Sequence, residues 1–393
     1  MNPHDIAPRS QVLDLDELLD DRSIRVVVCC GAGGVGKTTT AAALALRAAD
    51  RGRKVVVLTI DPARRLAQSL GLTELDNDPR PVEGVRGTGS LDAMMLDMKR
   101  TFDEFVEANA DAERAETIIA NPFYQSLSSS FAGTQEYMAM EKLGQLRGRA
   151  ETEGSWDLII VDTPPSRSAL DFLDAPRRLG SFLDGRFIRI LAAPAKAGGR
   201  AYMKVLSAGF GMFTSVLTKV IGGQVLQDVQ TFVASVDTLF GGFRQRADET
   251  YAMLKADDTR FVVVAAPERD ALREASYFVD RLEADDMPLA GLVLNRVQTS
   301  GVADLDAATA SAAAARLEQG ARASTTAALL RIHAERVATL ERQRRLAERF
   351  TSAHRAVPVA VVPTLAADVV DLDGLRTVGE ALGSPLETHG HAG

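Results

Sequence analysis

Lys37 and Thr38 close the stretch GAGGVGKT (31–38), and Asp61 and Asp162 each end an apolar run further along the chain. An ammonium, a hydroxyl and carboxylates are the groups that phosphoanhydride chemistry calls for: partners for the phosphates, ligands for a divalent cation, and a group to position water. The stretch fits G-x-x-x-x-G-K-[ST], and its surroundings are those the pattern requires. IRVVVCC (24–30) precedes it as a continuous apolar run suited to a buried parallel strand, and TTAAALALRAAD (39–50) follows as an alanine-rich helix. Glycines let backbone N–H groups turn inward around phosphate oxygens, and the helix N-terminus adds its partial positive charge. The spacing therefore assigns Gly31, Ala32, Gly33, Gly34, Val35, Gly36, Lys37, Thr38 and Thr39 to a phosphate-binding loop. Lys37 reaches the terminal phosphates in this reading, and the Thr38 hydroxyl ligates Mg2+.

Asp162 ends the strand-like run SWDLIIVDTPP (155–165) and has the character of a carboxylate serving Mg2+, directly or through water. The alternative is a helix N-cap, which DTPPS would also provide. Asp61 ends RKVVVLTID (53–61) and precedes Pro62. It is placed to orient or deprotonate an attacking water, or to cap the helix PARRLAQSL, and the residue alone does not separate the two.

The elements that must position these groups form a series. LDAMMLDM (91–98), RFVVVAAPE (260–268), LAGLVLNRV (289–297) and AVPVAVVPTL (356–365) read as further strands, separated by helical stretches. Buried strands alternating with helices predict an α/β fold with a mostly parallel central sheet covered on both faces, and ligands at the carboxyl ends of its strands. Asp61, Asp162, Glu268 and Asn295 all fall at such ends. The expected division is a loose arm (1–23), core (24–99), a helical segment (100–150), core (151–169), an inserted helical lobe (170–257), core (258–302), a helical segment (303–353), core (354–385) and a tail (386–393). In the lobe, Leu206, Phe210, Phe213, Leu217 and Val220 follow three- and four-residue spacing, as do Val225, Val229, Phe232, Val236 and Leu239.

The 393 residues suffice for one large α/β domain with insertions or for two domains, and 46% hydrophobic with 25% charged residues is an ordinary globular composition. A net charge of −8 argues against broad binding to nucleic acid or anionic membrane. The only cysteines, Cys29 and Cys30, are strand neighbours pointing to opposite faces, so they read as buried thiols, as suits a reducing cytoplasm. MNPHDIAPRS lacks the basic start and apolar core of a signal peptide. VLSAGFGMFTSVLT (205–218) falls short of the ~20 residues a membrane-spanning helix needs, so no stable membrane insertion is expected.

GAGGVGKTTT, TIDPARRLAQSLG, LIIVDTPPSRSALDFLDAP, FVVVAAPER and GLVLNRV together resemble the arsenical-pump ATPases and the ATPases that target tail-anchored membrane proteins, over most of residues 24–370. The resemblance implies a P-loop NTPase core with an α-helical lobe, ATP and Mg2+ as cofactors, and a head-to-head dimer with ATP at the interface. It implies Asp61 as the water-positioning residue alongside Lys37, Asp162 at the magnesium site, Asn295 reading adenine, and Glu268 contacting nucleotide across the dimer. The departures are informative. Nothing after Cys30 is cysteine, so neither an interfacial zinc pair nor metalloid-binding thiols are present, and arsenite transport is not expected. Ser168, after Arg167, stands where a histidine is usual. Ala32 replaces the signature lysine that reaches across the dimer, which points to a heterodimer with a lysine-bearing paralogue over a homodimer. Three classes follow: a nucleotide-gated carrier of a hydrophobic protein client, a regulatory or scaffolding subunit with weak hydrolysis, and a partitioning or positioning ATPase. The last lacks a basic DNA-binding region and a terminal amphipathic membrane helix.

Overall fold

The computed structural model describes residues 12–60, 64–122, 124–125, 128, 134–164, 245–246, 248–302, 304–319 and 324–383. The chain divides into two compact units, one made of residues 1–95, 149–169 and 254–393, the other of 96–148 and 170–253.

The first unit is built on an eight-stranded sheet. Its strands are β1 (Val26–Gly31), β2 (Lys54–Thr59), β3 (Arg80–Pro81), β4 (Ser90–Met95), β5 (Leu158–Asp162), β6 (Thr259–Ala265), β7 (Leu289–Val297) and β8 (Val359–Pro363). The order is β3-β4-β2-β5-β1-β6-β7-β8. Every neighbouring pair is parallel except the antiparallel β3–β4 at the edge. All seven strands read from the sequence are present. Two-residue β3 was not anticipated, because a pair containing Pro81 carries no periodic signal.

β1 lies at the centre, and every one of its residues is buried, as an apolar run with helices on both faces requires. Val27 and Cys29 join one face of the sheet to α1 (Leu15–Asp20), α2 (Lys37–Asp50) and α10 (Leu372–Gly383) in a single core cluster. The alanines of α2 permit close approach, and Ala41, Ala42, Ala45, Ala48 and Ala49 are completely enclosed. Val26, Val28 and Cys30 face the other way by strand alternation. α7 (Arg269–Ala284) packs on β6, β1 and β7, burying Phe278 and Leu282. A helical hairpin of α8 (Ala307–Glu318) and α9 (Ser324–Ala353) completes the unit. Its arginines are largely exposed, and Arg331 pairs with Glu318 and Arg344 with Glu348.

The expectation of a loose arm over 1–23 is corrected for residues 12–23. Val12 bridges to Val359, the Leu13 N–H donates to the Val359 carbonyl at 3.2 Å, and α1 buries Leu15 and Leu19. Asp14 caps α1 through the N–H groups of Asp16 and Glu17, and Arg47 holds the Asp16 carboxylate. Burying Leu15 and Leu19 contributes about 1.5–3 kcal/mol each toward ordering the segment.

The second unit contains α4 (Met98–Asn109), α5 (Ala112–Ile119) and most of α6 (Thr134–Glu153). Asp97 and Asp111 cap α4 and α5. Inside it, the Tyr124 hydroxyl donates to Asp103 at 2.6 Å, Lys142 pairs with Glu104, and Arg246 pairs with Glu141 while lying over the Phe105 ring. The spaced apolar residues 206–239 lie outside the described residues. No helix among the described residues is long and apolar enough to cross a membrane.

Candidate functional site

The candidate phosphate-binding loop runs from the last residue of β1 into α2. Gly31 ends the strand against β6, where a Cβ would stand 2.0 Å from the Val264 carbonyl oxygen. Gly36, the N-cap of α2, has φ 94°, a left-handed conformation that admits glycine with little strain. As a glycine it caps the helix with no side-chain hydrogen bond, and the positive end of the α2 dipole points toward the loop. Lys37, 6% exposed, folds back and donates from Nζ to the Ala32 carbonyl at 2.8 Å. Ala32 itself is buried in the core cluster, its methyl group offering neither reach nor charge.

Strand register brings the acidic group to the loop. β5 lies between β1 and β2, and Asp162 pairs in register with Cys29 on one side and Thr59 on the other. Its carboxylate is fully buried, and one oxygen accepts hydrogen bonds from the Thr38 hydroxyl at 2.7 Å and the Thr59 hydroxyl at 3.0 Å. An ammonium, two hydroxyls and a carboxylate thus gather around the start of α2. A hard divalent cation takes oxygen ligands of this kind, and Mg2+ is usually held by one or two carboxylates together with substrate phosphates. Among the described residues there is no cluster of three or more His, Cys, Asp or Glu side chains to hold a metal by themselves. The donor set fits a cation that arrives with a polyphosphate.

Thr59 was missed in the sequence. It stands two residues before Asp61 in TID, and only the β2–β5 register reveals that it faces Asp162. Asp61 lies outside the described residues, as do Ser168 and Arg167; the chain leading to Asp61 is tied to β5, the Ile60 N–H donating to the Asp162 carbonyl at 3.0 Å.

Asn295, near the end of β7, reaches the main chain of the same loop, its amide donating to the Val35 carbonyl at 2.8 Å. Glu268 sits exposed at the N-cap of α7, beyond the end of β6, and makes no side-chain capping bond. Cys29 and Cys30 are buried free thiols. Burial pushes Cys30 up to about 12, and burial with the nearby Asp162 carboxylate raises Cys29 as well.

The chain is similar to proteins named ATPase GET3 from several fungi. It is 28% identical to that of Podospora anserina over 285 residues, covering 72% of this chain and 76% of the relative. The corresponding protein of Ajellomyces dermatitidis is 29% identical over 295 residues (73% and 77%), and that of Malassezia globosa 27% over 284 residues (72% and 76%). The sequence model of the family described as "Anion-transporting ATPase" matches residues 24–319, which span the loop, Asp162, Glu268 and Asn295. The chain belongs to the anion-transporting ATPase family and is a nucleotide-binding ATP hydrolase.

Proposed function

We propose that the loop at Gly31–Thr39 binds ATP with Mg2+, and that this chain works as one half of an asymmetric heterodimer. The observation that carries the nucleotide reading is the convergence of Lys37, Thr38, Thr59 and Asp162 at the ends of β1, β2 and β5. Lys37 gives up its bond to the Ala32 carbonyl for the terminal phosphates, and the first N–H groups of α2 take further phosphate oxygens. Thr38 and Asp162 hold the cation, and Asp61 orients the attacking water. Mg2+, when bound, neutralises charge building on the transferred phosphoryl group.

Ala32 supports the assembly reading. A charge supplied in trans to the transition state is worth about 10³–10⁵ in rate in well-studied NTPases. With Ala32 in both protomers of a homodimer neither site would receive the family's lysine, and hydrolysis would be slow. A lysine-bearing paralogue would complete the site built by this chain while its own site faced Ala32. The test is to assay the chain alone, mixed with that paralogue, and as Ala32→Lys. Slow turnover alone, with rescue by the paralogue and partial rescue by Ala32→Lys, supports the proposal; fast hydrolysis by the homogeneous chain overturns it.

The likeness to targeting ATPases supports a hydrophobic protein client, carried by the helical lobe and released in step with ATP, in the cytoplasm. Phe210→Asp or Phe232→Asp would then remove binding of an apolar helical peptide without changing ATP binding. A collapse of the melting temperature in both variants would mark those residues as the lobe's own core.

A further inference from the structure

Near its end, β7 slips register against β8 between Leu294 and Val297. Inside that irregularity Arg296 has φ 60°, a left-handed conformation that a non-glycine residue keeps only where its surroundings hold it. A bulge of this kind re-aims the side chain beside it. Here that side chain is Asn295, and both ends of its amide are engaged. Nδ2 donates to the Val35 carbonyl, while Oδ1 accepts the Arg296 backbone N–H at 2.9 Å. The second bond fixes the orientation, since a flipped amide would set an NH2 against an N–H and an oxygen against the Val35 carbonyl. The side chain is buried, and a Cβ on Gly36 would lie 2.3 Å from Nδ2, so the loop's left-handed turn is moulded against it.

We propose that Asn295 is a positioning residue for the phosphate-binding loop, holding residues 35 and 36 in the phosphate-ready conformation, with the left-handed Arg296 as the bend that aims it. The inference rests on the reading of 31–39 as that loop. It assigns Asn295 a task that does not depend on the base of the nucleotide. When the brace is lost, the loop spends part of its time in other conformations, and the apparent affinity falls in proportion to the competent fraction. Asn295→Asp keeps the shape, removes the donor and sets an oxygen against the Val35 carbonyl. The expected loss is about tenfold.

The experiment measures binding of ATP by calorimetry, and of inorganic tripolyphosphate by competition, to the wild type, Asn295→Asp, Arg296→Val and Arg296→Gly. A β-branched valine disfavours the left-handed bend, whereas glycine adopts it freely. Arg296 is exposed, so neither change at that position disturbs a core. Asn295→Asp and Arg296→Val are expected to lose affinity for ATP and tripolyphosphate by a common factor, with faster backbone hydrogen exchange confined to 31–38. Arg296→Gly is expected to bind as the wild type does. A loss for ATP with tripolyphosphate unchanged makes Asn295 a reader of the base and overturns the proposal, as does unchanged binding of both. Faster exchange throughout the sheet, or Arg296→Gly as impaired as Arg296→Val, overturns it as well. A wild type that binds neither ligand would instead sink the loop assignment itself.

Discussion

Replacing Asp162 by asparagine keeps the outline of the side chain and removes its charge, and the surroundings of that carboxylate give the change two opposed effects. The group is fully buried and accepts hydroxyl bonds from Thr38 and Thr59 at 2.7 and 3.0 Å. Bonds to a charged acceptor are worth about 1.5–3 kcal/mol each against about 0.5–1.5 for a neutral one, so the pair together loses about 2–3 kcal/mol. Against this, the desolvation of a buried carboxylate, several kcal/mol, is relieved. The nucleotide-free variant should therefore melt at or above the wild-type temperature. Cation binding goes the other way. Two unit charges 4 Å apart interact by about 4 kcal/mol at an effective dielectric of 20, and a divalent ion doubles that. Even after half is lost to solvent, Mg2+ affinity should fall by at least about a hundredfold. Calorimetric titration of ATP with and without Mg2+, beside a melting curve of the nucleotide-free protein, reads both effects. An unchanged Mg2+ dependence would refute the metal role and leave Asp162 a structural acceptor, and a melting temperature lowered by several degrees would refute the desolvation balance.

Lys37→Ala should abolish tight binding of ATP with Mg2+, because the terminal phosphates lose their cationic partner; unchanged calorimetric affinity would sink the loop assignment. Asp61→Asn should leave ATP bound and slow turnover about a hundredfold or more, and turnover near the wild-type rate would make Asp61 a helix cap. Arg53→Met should destabilise the fold by about 3–5 kcal/mol, read as a lower urea midpoint. The buried guanidinium ties the Leu19, Asp21, Ile24 and Asp157 carbonyls and the Asp157 carboxylate together, and an unmoved midpoint would show those bonds to be replaceable by packing. Cys29 and Cys30 should resist a disulfide reagent at pH 8 and react only in denaturant, since burial raises both thiols and holds Cys30 at about 12. Rapid labelling of the native protein would contradict that burial.

The strands were legible because a parallel sheet covered on both faces demands unbroken apolar runs, and RVVVCC, KVVVLT and LIIVD carry little else. The stretch 31–38 stood out because a phosphate-binding loop needs fixed residue types at fixed spacing. What escaped was whatever depends on register or on a few local bonds. Thr59 gives no sign of function until β2 is laid beside β5. The packed segment before β1 was hidden by its acidic residues, although Asp14 capping a helix that buries Leu15 and Leu19 is a local pattern. Asn295 was singled out for its position at a strand end, yet its partner, the Val35 carbonyl, belongs to a main chain 260 residues away in sequence. No side-chain pattern encodes such a contact; it exists because of a bulge that the run GLVLNRV does not announce.

These contacts explain how a loop of small residues keeps its shape. Glycines allow the turn that wraps a phosphate, and for the same reason they leave the free loop many alternatives. The restraint comes from the flanking strands. β6 presses the Val264 carbonyl against Gly31, β5 supplies Asp162 to the Thr38 hydroxyl, and the bulged end of β7 grips Val35 through Asn295. Lys37 closes the remaining side through its bond to Ala32. Of these four ties, the two made by ionised side chains are the ones a polyphosphate with Mg2+ would compete for. The other two, glycine against a carbonyl and amide against a carbonyl, involve no charge and can persist through binding. On this division the neutral ties preserve the cradle while the charged ones exchange partners, so perturbing Gly31 or Asn295 should raise the cost of ordering the loop, and perturbing Lys37 or Asp162 should remove the attraction itself.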